Sequence, residues 1–188
     1  VVNGRMYINT NHGMVAALNP ESGEELWLFD PESYRNGPPI QTNIMIRGVE
    51  YWTDGNIERI FVATLGKQLL SVDAKTGKPD LNFGDDGFID LSQNLGRLEF
   101  ESQFITAGAA PIAVGNSLIV GSKIFDYGMY NRSPPGHVRA YDTYTGELKW
   151  RFNTIPQEGE EFTNTWENDS WRTAGNTNVW TFMSADDD

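Results

Sequence analysis

One short phrase occurs three times in this chain, and it constrains the fold more than any other feature. The copies are Ala17-Leu18-Asn19-Pro20-Glu21-Ser22-Gly23-Glu24-Glu25-Leu26-Trp27, Ser71-Val72-Asp73-Ala74-Lys75-Thr76-Gly77-Lys78-Pro79 and Ala140-Tyr141-Asp142-Thr143-Tyr144-Thr145-Gly146-Glu147-Leu148-Lys149-Trp150. Each reads as an apolar strand, then Asp or Asn, two variable residues, Ser or Thr, Gly, and a second strand. The Asp or Asn side chain can accept from backbone N–H groups two residues on. The glycine supplies the positive φ that closes the turn without a Cβ clash. A repeat of this kind predicts a modular fold built from stacked supersecondary units.

The residues upstream of each turn extend the pattern. Runs of β-branched and aromatic residues follow a polar turn at 4–10, 58–64 and 115–121, and shorter apolar runs follow at 13–18, 67–72 and 137–141. Each unit therefore holds at least three consecutive strands joined by tight turns. The predicted fold class is all-β, a β-propeller of four-stranded antiparallel blades, here an incomplete propeller of about three blades. Blade-like units are expected at 1–30, 55–80 and 110–152, with the start of a further blade near 178–188. The turn glycines at 23, 77 and 146 lie 54 and 69 residues apart. A bare blade needs about 40–50 residues, so loops are expected at roughly 30–54 and 80–109, where such insertions build a site on one face. The polar stretch 153–169 is expected to be a surface excursion with a helical turn.

Three blades do not close a ring, so the chain is expected to be part of a longer one. The formal net charge is −12 with no basic cluster, which argues against a nucleic-acid ligand. No apolar run is long enough to span a bilayer. The absence of cysteine excludes disulfides and thiolate metal sites.

The turn repeat and the phrases between its copies resemble the quinoprotein dehydrogenases, eight-bladed propellers that carry pyrroloquinoline quinone (PQQ) and usually Ca²⁺ in the periplasm. The specific phrases are 47–52 (Arg-Gly-Val-Glu-Tyr-Trp), 83–87 (Phe-Gly-Asp-Asp-Gly), 134–142 (Pro-Pro-Gly-His-Val-Arg-Ala-Tyr-Asp) and 166–171 (Trp-Glu-Asn-Asp-Ser-Trp). Together they are most similar to the glucose dehydrogenase-like branch, which includes enzymes for polyols and cyclic hydroxy acids. Alcohol-oxidising members carry two adjacent cysteines upstream of the Arg-Gly phrase; this chain has Ile40 and Gln41 there, a departure toward the sugar and polyol branch.

The resemblance implies a set of site residues. Arg47 would pair with a PQQ carboxylate, since a guanidinium is a bidentate partner for one; as a bare residue it also reads as a surface arginine at a loop exit. Thr106, before the small-residue run 107–110, would bond PQQ, or it is a plain strand entry. Ser122 and Asp126 match a Gly-Ser-x-x-x-acid phrase in which the acid binds Ca²⁺ and the serine lies by the cofactor; Asp126 also reads as a turn residue before Gly128. Thr177 and Asn178 lie in a Gly-rich phrase that contacts PQQ. Trp180 falls one residue late for the ring-stacking position, so it either stacks on PQQ or packs between blades. His12 and His137 read as ordinary surface histidines, and Asp169 as a cap or turn residue. The family's catalytic base and further Ca²⁺ ligands match no residue here, so no catalytic residue is assigned. The implied activity is PQQ- and Ca²⁺-dependent oxidation of a sugar, polyol or other alcohol in the periplasm, with electrons passing to a quinone or cytochrome; association of a longer chain with the inner membrane is left open. The alternative is a non-enzymatic propeller scaffold of the outer-membrane assembly type.

Overall fold

The computed structural model describes residues 1–10, 12–36, 47–64, 66–96, 105–125 and 133–186. Strands β1 (Met6–Asn9), β2 (Val15–Leu18) and β3 (Glu25–Phe29) form one antiparallel sheet. Strands β4 (Glu50–Thr53), β5 (Glu58–Ala63), β6 (Gln68–Asp73) and β7 (Phe88–Asp90) form a second, in chain order. The third contains β9 (Ile112–Val114), β10 (Ser117–Val120), β12 (Val138–Asp142) and β13 (Leu148–Phe152), with a small ladder of β8 (Ile105–Thr106) and β11 (Lys123–Ile124) beside it. Among the described residues the stretch after β13 carries 3-10 turns at Thr163–Thr165 and Glu167–Arg172, with Asp169 at φ +52 inside the second.

The three repeated turns adopt one geometry. Oδ1 of Asn19, Asp73 and Asp142 each accepts two backbone N–H bonds, from residues two and three positions on, at 2.8–3.3 Å. The carbonyl of the same residue accepts from the turn glycine at 2.8–2.9 Å. Gly23, Gly77 and Gly146 have φ of +74°, +71° and +75°, the left-handed region that costs an L side chain about 1–2 kcal/mol. A register shift next to the turn also repeats, between Ala17 and Leu18 in the first sheet and between Ala140 and Tyr141 in the third.

The second copy departs from the expected second strand. Pro79 makes a single bridge to Val72, and the chain then detours through 80–87 before β7 pairs with β6. Proline has no N–H to donate to a ladder. Strands β4 and β7 lie inside the stretches expected to be loops between units. They are three or four residues long, too short to show a period.

The second sheet is packed on both faces. Ile60, Val62, Leu70 and Val72 point toward Val15, Tyr7, Trp27 and Phe29 of the first sheet. Phe61, Ala63 and Leu69 point toward Leu118, Val120 and Tyr141 of the third. The period-2 alternation of a strand places adjacent residues in two separate cores, so β5 reads as a continuous apolar run. The interfaces are tied at equivalent points. The carbonyl after the turn acid is Ala74 O in the second sheet, which accepts from Trp27 Nε1 and Tyr7 OH at 3.1 Å each. In the third it is Thr143 O, which accepts from the Arg59 guanidinium, itself paired with Asp80.

Candidate functional site

β10 ends at Val120; after Gly121 and Ser122 the chain resumes as β11, which pairs with β8. The β8–β11 and β9–β10 ladders are one hairpin interrupted by an irregularity, with residues 107–111 opposite 120–122. Such bulges bend a strand and re-aim its side chains. On one face of the small ladder Ile105 and Ile124 pack with Leu95 in an apolar cluster. On the other, Thr106 is paired with Lys123.

The bulge is lined with glycine for close approach, not for positive φ. A Cβ on Gly121 would sit 2.1 Å from Val179 O, one on Gly136 2.3 Å from Thr177 O, and one on Gly108 3.1 Å from Trp180 O. Residues 177–180 thus lie as a strap across the third sheet, backbone against backbone, with a parallel bridge between Gly136 and Asn178. The strap is held at its start by Thr154 Oγ1, which donates to Thr177 O at 2.8 Å.

A hydrogen-bonded path underlies it. Ser122 Oγ donates to His137 O at 2.9 Å, and His137 Nδ1 accepts from Thr154 N at 3.1 Å. His137 is fully buried, contrary to the expectation of a surface histidine. Arg139, two residues on, is equally buried; its guanidinium donates to Leu91 O at 2.8 Å and Gln93 O at 2.7 Å and lies 5.8 Å from the Tyr141 ring. Burial pushes the Arg139 pKa down and the Tyr141 hydroxyl up. Both lie in the family phrase 134–142, but the sequence assigns neither a buried role, because a polar residue alternating on a strand has the signature of a solvated face.

The strap ends at Trp180, 52% exposed, whose ring lies 5.5 Å below the Arg47 guanidinium carbon. Arg47 is fixed through its own backbone, since Ala110 N donates to Arg47 O at 2.7 Å. Three residues on, Glu50 Oε1 accepts from Ala113 N at 2.9 Å, and burial raises the Glu50 carboxyl above the usual range. Arg47, Thr106, Ser122, Thr177, Asn178 and Trp180 therefore gather at one end of the third sheet. Asp126 lies outside the described residues, as do Ile40, Gln41 and the run 44–46. Among the described residues no group of three or more His, Asp or Glu side chains is gathered to hold a metal.

The whole chain, residues 1–188, matches the family model for the PQQ β-propeller domain of glucose/ethanol/alcohol dehydrogenases. The chain belongs to that family. Its three stacked sheets are a partial quinoprotein propeller. It is 32% identical to quinohemoprotein alcohol dehydrogenase ADH IIB of Pseudomonas putida, over 97% of this chain and 25% of that protein. It is 28% identical to quinoprotein glucose dehydrogenase A of Acinetobacter calcoaceticus, over 86% of this chain and 23% of that protein. The solved quinohemoprotein alcohol dehydrogenase ADHIIG of Pseudomonas putida HK5 superposes with a TM-score of 0.71 at 28% identity, covering 92% of this chain and 24% of that one. The chain spans about a quarter of the length of these quinoproteins.

The residues present fit the family's cofactor. PQQ is a flat tricarboxylate. Thr106 Oγ1 is buried and has no hydrogen-bond partner among the described residues, which leaves a hydroxyl ready to donate to a ligand; Asn178 Nδ2 already donates to Asn176 O, so its unpartnered Oδ1 can only accept. A guanidinium, a neighbouring indole and a glycine-lined strand complete a donor set suited to a planar anion.

Proposed function

We propose that this chain supplies one part of a PQQ site in an enzyme that oxidises the CH–OH group of an alcohol, polyol or sugar. The observation that carries this reading is the Arg47–Trp180 contact held against residues 108–110, on the segment whose Thr106 hydroxyl is buried and orphaned, in a chain that matches the quinoprotein propeller along its whole length. In this reading Arg47 holds a cofactor carboxylate, with the Trp180 ring fixing the guanidinium plane. Thr106, Thr177 and Asn178 offer hydrogen bonds at the cofactor's edge, and Ser122 fixes the backbone at His137 beneath the strap. Bound PQQ supplies a two-electron acceptor for the substrate carbon. Asp126 is proposed as a carboxylate ligand for Ca²⁺. The electrons leave to a quinone or cytochrome, and the enzyme works in the periplasm or at its membrane.

The test is a PQQ titration of the complete protein, followed by dye-linked oxidation of a panel of alcohols, polyols and sugars with and without Ca²⁺. The expected result is saturable PQQ binding that weakens in Arg47→Ala by about tenfold or more. It also includes substrate-dependent dye reduction that requires PQQ. A complete protein that neither retains PQQ on gel filtration nor reduces dye refutes the reading and leaves a propeller scaffold.

A further inference from the structure

We infer that Lys123, which no motif marks, is a second cationic anchor for the carboxylates of the cofactor. The inference rests on the PQQ reading above. Lys123 is the cross-strand partner of Thr106, so the two side chains stand on the same face of the β8–β11 ladder, opposite Ile105 and Ile124. On that face the Thr106 hydroxyl is buried and orphaned. The Lys123 stem runs over Gly108: a Cβ there would sit 3.2 Å from Lys123 Cδ and 3.4 Å from its Cβ. The same Cβ would sit 3.1 Å from Trp180 O. Gly108 thus leaves room for both the lysine stem and the strap. Arg47 lies over the Trp180 ring, its guanidinium carbon 5.5 Å from the ring centroid. The stem of one basic residue thus shares the space at Gly108 with the Trp180 backbone, and a second basic residue lies over the Trp180 ring, in a chain of net charge −12. A planar tricarboxylate needs more than one counter-charge, and an ammonium adds three donors without the fixed geometry of a guanidinium.

The experiment is a fluorescence titration of the complete protein and its Lys123→Met and Lys123→Arg variants with PQQ and with the uncharged PQQ trimethyl ester. Lys123→Met should weaken PQQ binding about tenfold and Lys123→Arg by no more than about threefold, while all three proteins bind the ester alike. If Lys123→Met binds PQQ as tightly as wild type, or loses PQQ and ester by the same factor, the lysine is not an electrostatic anchor. If wild type itself fails to bind PQQ, the cofactor reading falls first and this inference with it.

Discussion

Replacing the turn glycines by alanine one at a time separates what the turn demands locally from what the neighbouring sheet demands. Gly23, Gly77 and Gly146 share one hydrogen-bonding pattern and φ within a few degrees, so the left-handed strain of alanine is common to all three, about 1 kcal/mol. Their surroundings differ. A Cβ on Gly23 meets nothing within 4 Å. One on Gly77 would sit 2.5 Å from Trp27 Cε3, and Trp27 is held by its bond to Ala74 O. One on Gly146 would sit 2.8 Å from the backbone nitrogen of Gly84, which donates to Thr145 O at 2.9 Å. Overpacking of this kind costs about 1–3 kcal/mol. The expected losses are thus about 1 kcal/mol for Gly23→Ala and about 2–4 kcal/mol for Gly77→Ala. Gly146→Ala should cost at least as much as Gly77→Ala, because backbone yields less than an indole. With a urea dependence of about 2 kcal/mol/M, the midpoints should fall by about 0.5 M for Gly23→Ala and by about 1–2 M for the others. Circular dichroism of urea-unfolded samples measures them. In a Trp27→Ala background the cost of Gly77→Ala should drop to that of Gly23→Ala, a coupling energy of about 1–3 kcal/mol. Equal costs for Gly23→Ala and Gly77→Ala, or a cost for Gly77→Ala that ignores the Trp27 background, refute the docking argument.

Further consequences can be checked in the same way. Burial raises the Glu50 carboxyl, so its contribution to stability is full below the ordinary glutamate range and is lost as pH rises through the raised value. Glu50→Gln keeps an acceptor for Ala113 N and cannot ionise, so its stability relative to wild type should improve from pH 4 to pH 7. A relative stability flat with pH counts against this. A Cβ on Gly136 would sit 2.2 Å from Asn178 Cβ, so Gly136→Ala should displace the strap and weaken PQQ binding by about tenfold. The exposed Gly115→Ala, with no atom within 4 Å of the added Cβ, should leave PQQ affinity unchanged. Asp142→Ala removes an acceptor of two backbone N–H groups and should cost about 1 kcal/mol in urea unfolding.

What was legible in the sequence is what a few consecutive residues settle. The Asx turn is closed by a side chain acting two and three residues on, and its glycine by a local φ, so three copies of one phrase announce three copies of one hairpin. The family phrases also named Arg47 and Trp180, whose guanidinium carbon and ring centroid lie 5.5 Å apart. Features set by partners far along the chain were not legible. Arg59 and Trp27 share no residue type and sit on different strands, yet each delivers a donor to the carbonyl after the next turn acid, Thr143 O or Ala74 O. That equivalence belongs to the stacking of sheets and leaves no mark within either unit. His137 read as a surface histidine, and Arg139 drew no reading of its own, because alternation cannot tell a wet face from an interface whose polar groups meet backbone carbonyls. The same limit explains Lys123. On a two-residue strand no period exists, and the cation's meaning comes from Thr106 across the ladder and from the space left by Gly108. A glycine whose φ is ordinary and whose missing Cβ would strike another backbone marks where two chain segments must touch. Here Gly108, Gly121 and Gly136 trace the path of the strap that carries Thr177, Asn178 and Trp180 to Arg47.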